Sequence, residues 1–274
     1  LVYVNSKITT MSSEIDIKLN QLLANWSNGT VGTTKWLKSK GFYQQLVDKY
    51  EKSGWLTRVG QGAYKRAGDK IEWADGLKAI QDQLKKQVHV ASKSALEKSG
   101  VNQYLSLGNR PRLTLYGKKG VGLPKWFKEY QWKVEVSFHT STLFKNYELG
   151  LTTLEINNEE IKISSRERAI LELLEKVNDE HSFQEAVDFY EGLSSLRSKV
   201  VQELLEDCNS IKVKRIFLYL TELLNMQLFQ KLKKEKIDLG KGKRSIVKNG
   251  HLDNHYLITV PLLFKVNSDK GDIV

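Results

Sequence analysis

One stretch, GWLTRVGQGAYK at 54–65, constrains the fold more than any other. Trp55–Val59 has strand composition, Gly60-Gln61-Gly62 is a tight turn, and Ala63-Tyr64-Lys65 returns. The two glycines admit positive φ, so the segment reads as a small hairpin. It follows directly on a short helical pattern at 42–52 (FYQQLVDKYEK), where Phe42, Leu46, Val47 and Tyr50 share one face and Ser53-Gly54 closes the element. Another short helix is expected at 33–39, capped by Thr33 or Thr34, with Trp36 and Leu37 inward and Lys40-Gly41 as its breaker. Two short helices across a glycine turn make a helix-turn-helix unit, and the hairpin behind them makes its wing. A helix at 14–26, with Ile15, Leu19, Leu22, Leu23 and Trp26 on one face, supplies the rest of a small core. A helix at 72–86 closes this domain or bridges to the next.

Such a unit suits duplex DNA, and the charge agrees. The 274 residues carry 43 Lys and Arg against 32 Asp and Glu, a net charge of +11. A balance of that sign steers a protein toward polyanions without choosing among DNA, RNA and anionic lipid. The second helix is the candidate reader. Tyr43, Gln44 and Gln45 are the expected base-reading residues, because Gln bonds bidentately to adenine and Tyr reaches phosphate or a thymine methyl. Lys35, Lys49, Arg58, Gln61, Lys65 and Arg66 are expected on the DNA backbone. The alternative for all of these is a solvated helix face and hairpin.

From residue 87 the pattern changes to a larger mixed domain. Strands are expected at 88–90, 113–116, 133–138, 151–156, 160–163 and 255–260, and helices at 93–99, 124–130, 165–176, 183–191, 196–207 and 212–229. Ser92 is the expected cap of the first of these helices, and Ser164 with Glu167 a capping box for the third, at 165–176. The fold class is therefore α+β: a winged helix-turn-helix at 12–86, followed by a larger α/β domain at 87–262.

Chemistry is sparse. The single Cys208 excludes an internal disulfide and a thiolate zinc site, and reads as a small buried hydrophobe. No two of the histidines have HExxH spacing, and His251 and His255 flank a strand and a turn, where i and i+4 do not converge, so no metal is expected. The GKGKRS segment at 240–245 lacks the full phosphate-loop spacing, and no paired carboxylates stand ready to hold magnesium. Neither catalysis nor a cofactor is expected. No run of 18 apolar residues occurs, and the start LVYVNSKITTM lacks the pattern of a signal peptide, so a cytoplasmic location without a membrane partner is expected.

The remaining signal is electrostatic. Residues 231–250 hold 8 basic and 2 acidic residues. Lys212, Lys214, Arg215, Lys241, Lys243, Arg244 and Lys248 form an expected second basic patch, with a solvated charge run as the alternative. Arg110, Arg112, Lys118 and Lys119 make a further cluster around a strand.

Several stretches together resemble the AbiEi antitoxins of bacterial type IV (abortive infection) toxin–antitoxin systems. They are TTKWL at 33–37, SGWLTRVGQGAYKR at 53–66, SALEKSG at 94–100, LPKWF at 123–127, SSRERAILELLE at 164–175, SFQEAVDFYEGLSSLR at 182–197, LLEDCNSIKVKRIFLYL at 204–220 and DLGKGKRSIVKNG at 238–250. They run in order over about residues 12–262. The resemblance implies a transcriptional repressor of its own operon, acting at inverted repeats upstream, with Thr33–Lys52 as the helix-turn-helix and Arg58–Arg66 as the wing. It also implies that the C-terminal domain, with Arg166–Leu174, Lys212–Leu220 and Gly240–Lys248, opposes a nucleotidyltransferase-like toxin without a tight complex. A nucleic-acid-processing enzyme related to nucleotidyltransferases and an RNA-binding module stand as alternatives. The deep major groove of A-form RNA admits no reader helix, which favours duplex DNA.

Overall fold

A computed structural model describes residues 17–101, 110–193 and 195–264. The chain divides into two compact units. The first contains the residues up to Gln87 together with Gly122–Glu135 and Glu155–Ile161; the second contains Val88–Val121, Val136–Leu154 and the chain from Lys162 onward. The chain first passes from one unit to the other after Gln87, and two later segments belong to the first unit.

The first unit begins with a helix over 17–24 (α1), followed by strand β1 (Gly32–Thr33), α2 (Thr34–Ser39), α3 (Gln44–Lys52), β2 (Leu56–Gly60) and β3 (Ala63–Arg66). Leu19, Leu22, Trp26, Leu37, Phe42, Val47, Tyr50, Leu56 and Tyr64 form one apolar cluster; of the residues expected inward, Leu23, Trp36 and Leu46 are only partly buried against it, and Leu56 and Tyr64 of the hairpin join it. Ile15 lies outside the described residues. Thr33 caps α2 by accepting from the Trp36 N–H at 3.2 Å. Gly41 turns the chain at φ 86°, a conformation that a side chain would strain. The three strands run in the order β1-β3-β2, with both neighbouring pairs antiparallel. The first unit thus runs helix, turn, helix and hairpin in that order.

Helix α4 (Trp73–Asp82) belongs to the same unit, as does α6 (Lys125–Glu129). Each involves a glycine with no room for a side chain, Gly60 of β2 beneath α6 and Gly76 within α4 itself. A Cβ on Gly60 would stand 2.7 Å from that of Trp126, and one on Gly76 would stand 2.8 Å from the Trp132 ring.

The second unit is built on a five-stranded sheet ordered β6-β5-β4-β8-β7, from β6 (Glu135–Ser141), β5 (Arg112–Lys118), β4 (Val88–Val90), β8 (Glu159–Ser164) and β7 (Leu151–Ile156). β4 runs antiparallel to β5 and parallel to β8. Helix α7 (Arg166–Lys176) is the hub of the helical layer, packed on α5 (Ser92–Lys98), α8 (Glu180–Glu191), α9 (Ser198–Asp207) and α10 (Ile211–Leu223). Ser165, not Ser164, caps α7, because the Ser164 hydroxyl is committed to Glu172.

The helix expected at 212–229 is broken. α10 ends at Leu223, Asn225 turns the chain at φ 50°, and α11 (Leu228–Lys231) is separate. A second small sheet, β10-β11-β9, gathers β9 (Arg244–Ser245), β10 (His251–Asp253) and β11 (Ile258–Val260), so a short strand lies within the basic segment at 231–250. Cys208 is buried, as expected, and burial pushes its thiol up to about 11. Among the described residues no helix is long and apolar enough to cross a membrane.

Candidate nucleic-acid interface

Helix α3 presents three sides. Val47 and Tyr50 are buried. Gln45, Lys49 and Lys52, at spacings of four and three, make an exposed outer face, and Tyr43 at the N-terminal end is 65% exposed. Gln44, Asp48 and Glu51 form the edge beside the wing. The Gln44 Nε2 donates to Asp48 Oδ1 at 2.7 Å and to the Tyr64 hydroxyl at 3.0 Å. Of the three expected base readers, Tyr43 and Gln45 therefore lie open, whereas Gln44 is held by its neighbours.

The cations of the β2–β3 hairpin are engaged within the unit. Arg58 donates Nε and Nη2 to the two carboxylate oxygens of Glu51 at 2.9 and 2.6 Å. Its guanidinium lies 5.0 Å from the Tyr64 ring centre. That hydrogen-bonded pairing holds the Glu51 carboxyl below its ordinary value. Lys65 donates to the Asp69 carbonyl, and Arg66 donates to the carbonyls of Trp26 and Leu23 at 3.0 and 3.4 Å, at the end of α1. Both are half-buried. Arg66 thereby braces the root of the hairpin against α1, using carbonyls that a helix end leaves unpaired. Gln61 at the hairpin tip and Lys35 on α2 are exposed.

The expected second patch separates into two kinds of cation. Lys214 and Arg215 are buried at 4% and 2% exposure, so they are not part of an exposed patch. Arg215 donates to the carbonyls of Leu239, Gly240, Gly242 and Leu257 at 2.8, 3.1, 2.6 and 3.2 Å. Lys214 donates to the Asp238 carbonyl at 3.1 Å. Lys212 donates to the carbonyls of Glu175 and Val177, capping the end of α7. What these residues do is shape the loop. Its carbonyls turn inward onto the guanidinium, Gly240 and Gly242 take φ 60° and 75°, and Lys241, Lys243, Arg244 and Lys248 stand exposed around it. Arg110, Arg112, Lys118 and Lys119 are exposed as well.

One polar cluster lay beyond the sequence reading. Glu172, buried on α7, accepts from the Ser92 N–H at 3.0 Å, the Ser164 hydroxyl at 2.8 Å, Arg168 Nε at 2.8 Å and His89 Nε2 at 3.0 Å. Since Nε2 must carry the proton, Nδ1 accepts from the Tyr147 hydroxyl at 2.7 Å. Burial lowers the His89 pKa and keeps the ring neutral. Burial alone would raise the Glu172 carboxyl, but its donors hold it low. Ser92 takes φ 52°, a strained conformation for serine, in delivering its N–H to this carboxylate. The adjoining void is about 10 Å³, room for one water at most. The cluster ties β4, α5, β8 and α7 together. The i, i+4 pair Arg168 and Glu172 on α7 was its only sequence signal. Among the described residues no group of three or more His, Cys, Asp or Glu side chains is placed to hold a metal ion.

Two family models match the chain. One, described as a transcriptional regulator, AbiEi antitoxin N-terminal domain, covers residues 15–107. The other, described as a transcriptional regulator, AbiEi antitoxin, type IV TA system, covers residues 110–261. No curated protein matches the sequence significantly. The crystal structure of the RV2827C protein from Mycobacterium tuberculosis is similar in fold, with a TM-score of 0.55 at 11% identity over 88% of this chain and 89% of that one.

Proposed function

Because the chain belongs to the AbiEi antitoxin family of type IV toxin–antitoxin transcriptional regulators, we propose that it represses its own operon by binding duplex DNA at inverted repeats upstream. It also opposes a nucleotidyltransferase-like toxin without forming a tight complex with it, and has no catalytic activity of its own. The observation that carries DNA binding is the outer face of α3. Tyr43, Gln45, Lys49 and Lys52 project from a helix whose opposite side is locked into the core, beside a hairpin. A helix enters the major groove, where Gln reads adenine bidentately. Tyr43 and Gln45 read bases, while Gln44 is held by Asp48 and Tyr64. Lys35, Lys49 and Gln61 contact phosphates, Lys65 and Arg66 hold the wing in place, and Arg58 reaches the backbone from β2. Lys241, Lys243, Arg244 and Lys248 add phosphate contacts from the second unit, which also carries antitoxicity.

Fluorescence anisotropy with the gene's upstream region and a scrambled duplex tests this reading. Tighter binding of the upstream duplex supports it, and equal affinity for the two overturns it. Rescue of cells from the toxin is scored separately from promoter occupancy.

A further inference from the structure

Two carboxylates sit where a DNA-facing helix should avoid them. Asp48 and Glu51 lie on the wing side of α3, with side chains 44% and 28% exposed. Negative groups close to a phosphate backbone oppose binding. Stability does not explain them, since exposed ion pairs contribute little to it. Their geometry suggests another role. Glu51 takes both forks of the Arg58 guanidinium, Asp48 stands 3.7 Å from the same Nη2, and Tyr64 supports the guanidinium from below while its hydroxyl accepts from Gln44. The wing cation is thus occupied by a bidentate anion that presents two oxygens, as a phosphate would.

Resting on the reading of α3 as the helix that faces DNA, we infer that Glu51 is a specificity-determining residue that keeps Arg58 off the phosphates of arbitrary duplex and releases it only on the operator. On arbitrary DNA no base contact seats α3, the wing stays back, and Arg58 remains on Glu51. On the operator, Tyr43 and Gln45 seat the helix in the groove. The wing then meets the backbone and Arg58 transfers from carboxylate to phosphate. One phosphate contact is gained only in the specific mode, so it adds to discrimination although it reads no base.

Salt-dependent titration of the full chain against upstream and scrambled duplexes tests this, using Glu51→Gln, Arg58→Ala and the double variant. In wild-type protein the dependence of log K on log salt should be steeper for the upstream duplex by about one unit. Glu51→Gln frees Arg58, so the scrambled-DNA slope should steepen by about 0.9, an extra gain of about 3.5-fold on going from 200 to 50 mM salt. The upstream slope should stay as it is, and the ratio of the two affinities should fall. In the Arg58→Ala background the Glu51 substitution should change neither slope. Glu51→Ala should act in the same direction as Glu51→Gln, which separates loss of the charge from a particular side-chain fit. An unchanged scrambled slope, an equal shift on both duplexes, or an effect that persists without Arg58 overturns the inference. A wild-type chain with no preference for the upstream duplex overturns the proposed function itself, and is seen before any variant is made.

Discussion

Arg215→Lys should weaken both the fold of the second unit and its grip on polyanions, although it leaves the net charge unchanged. The guanidinium is 2% exposed and bonds four carbonyls, those of Leu239, Gly240, Gly242 and Leu257. A lysine ammonium offers three donors from one point and cannot span positions arranged for a planar fork. At least one carbonyl then loses its partner, and others are left with poorer geometry. A buried acceptor without a partner costs about 1–3 kcal/mol. Partial hydration of the loosened loop holds the total to about 2 kcal/mol, which is roughly 6 °C in melting temperature for a unit of this size. The loop GKGKR would also lose its fixed shape, and Lys241, Lys243 and Arg244 would no longer be presented together. Calorimetry reads the first effect, and the salt dependence of binding to the upstream duplex reads the second, as a slope flatter by about one unit or more. If Arg215→Lys leaves both the melting temperature and the slope unchanged, the guanidinium does not organise the loop, and its lysines are independent solvated charges.

Gln45→Ala should weaken binding to the upstream duplex by about 1–3 kcal/mol and leave scrambled DNA untouched, as measured by paired anisotropy titrations. Lys243→Glu with Arg244→Glu should reduce upstream affinity in a salt-dependent way, and unchanged affinity and slope would remove this loop from the DNA interface. Glu172→Ala should destabilise the second unit by about 3–5 kcal/mol in chemical denaturation, because it leaves the Arg168 charge buried without its carboxylate. The Glu167 carboxyl is raised by its burial, but bonds from the Arg197 side chain and N–H outweigh this and hold it at about 2. A carboxyl lowered in the folded state contributes stability that is present above its unfolded value near 4.5 and is lost as pH falls toward 2. Acid titration of wild type should therefore show stability declining across that window, and Glu167→Gln should remove part of the decline.

The parts of this fold that were legible in sequence are those fixed by near neighbours. The α2–α3 turn and the hairpin depend on Gly41 and Gly62, each within a few residues of what it shapes, and the apolar faces of α1 and α3 follow a helical period. What was illegible depends on distant partners. Arg66 looks like a wing cation, but its acceptor is the Trp26 carbonyl, 40 residues away. Lys214 and Arg215 look like exposed charges, yet their partners are backbone carbonyls at 238–257. Charge in a sequence does not say whether a cation meets solvent or a carbonyl. The break after α10 was hidden because apolar residues continue through Leu224 and Leu228, and only the positive φ of Asn225 ends the helix. The second packing surfaces of Gly60 and Gly76 also became visible only with Trp126 and Trp132 against them.

Footprinting of the full chain on its own upstream region tests the central claim most directly. Protection of inverted repeats in wild type, with the same sites lost at matched protein concentration in Gln45→Ala while coverage of unrelated sequence persists, is the predicted result. Uniform protection without sequence boundaries, or a Gln45→Ala footprint identical to wild type, would contradict the assignment of α3 as the reader of DNA.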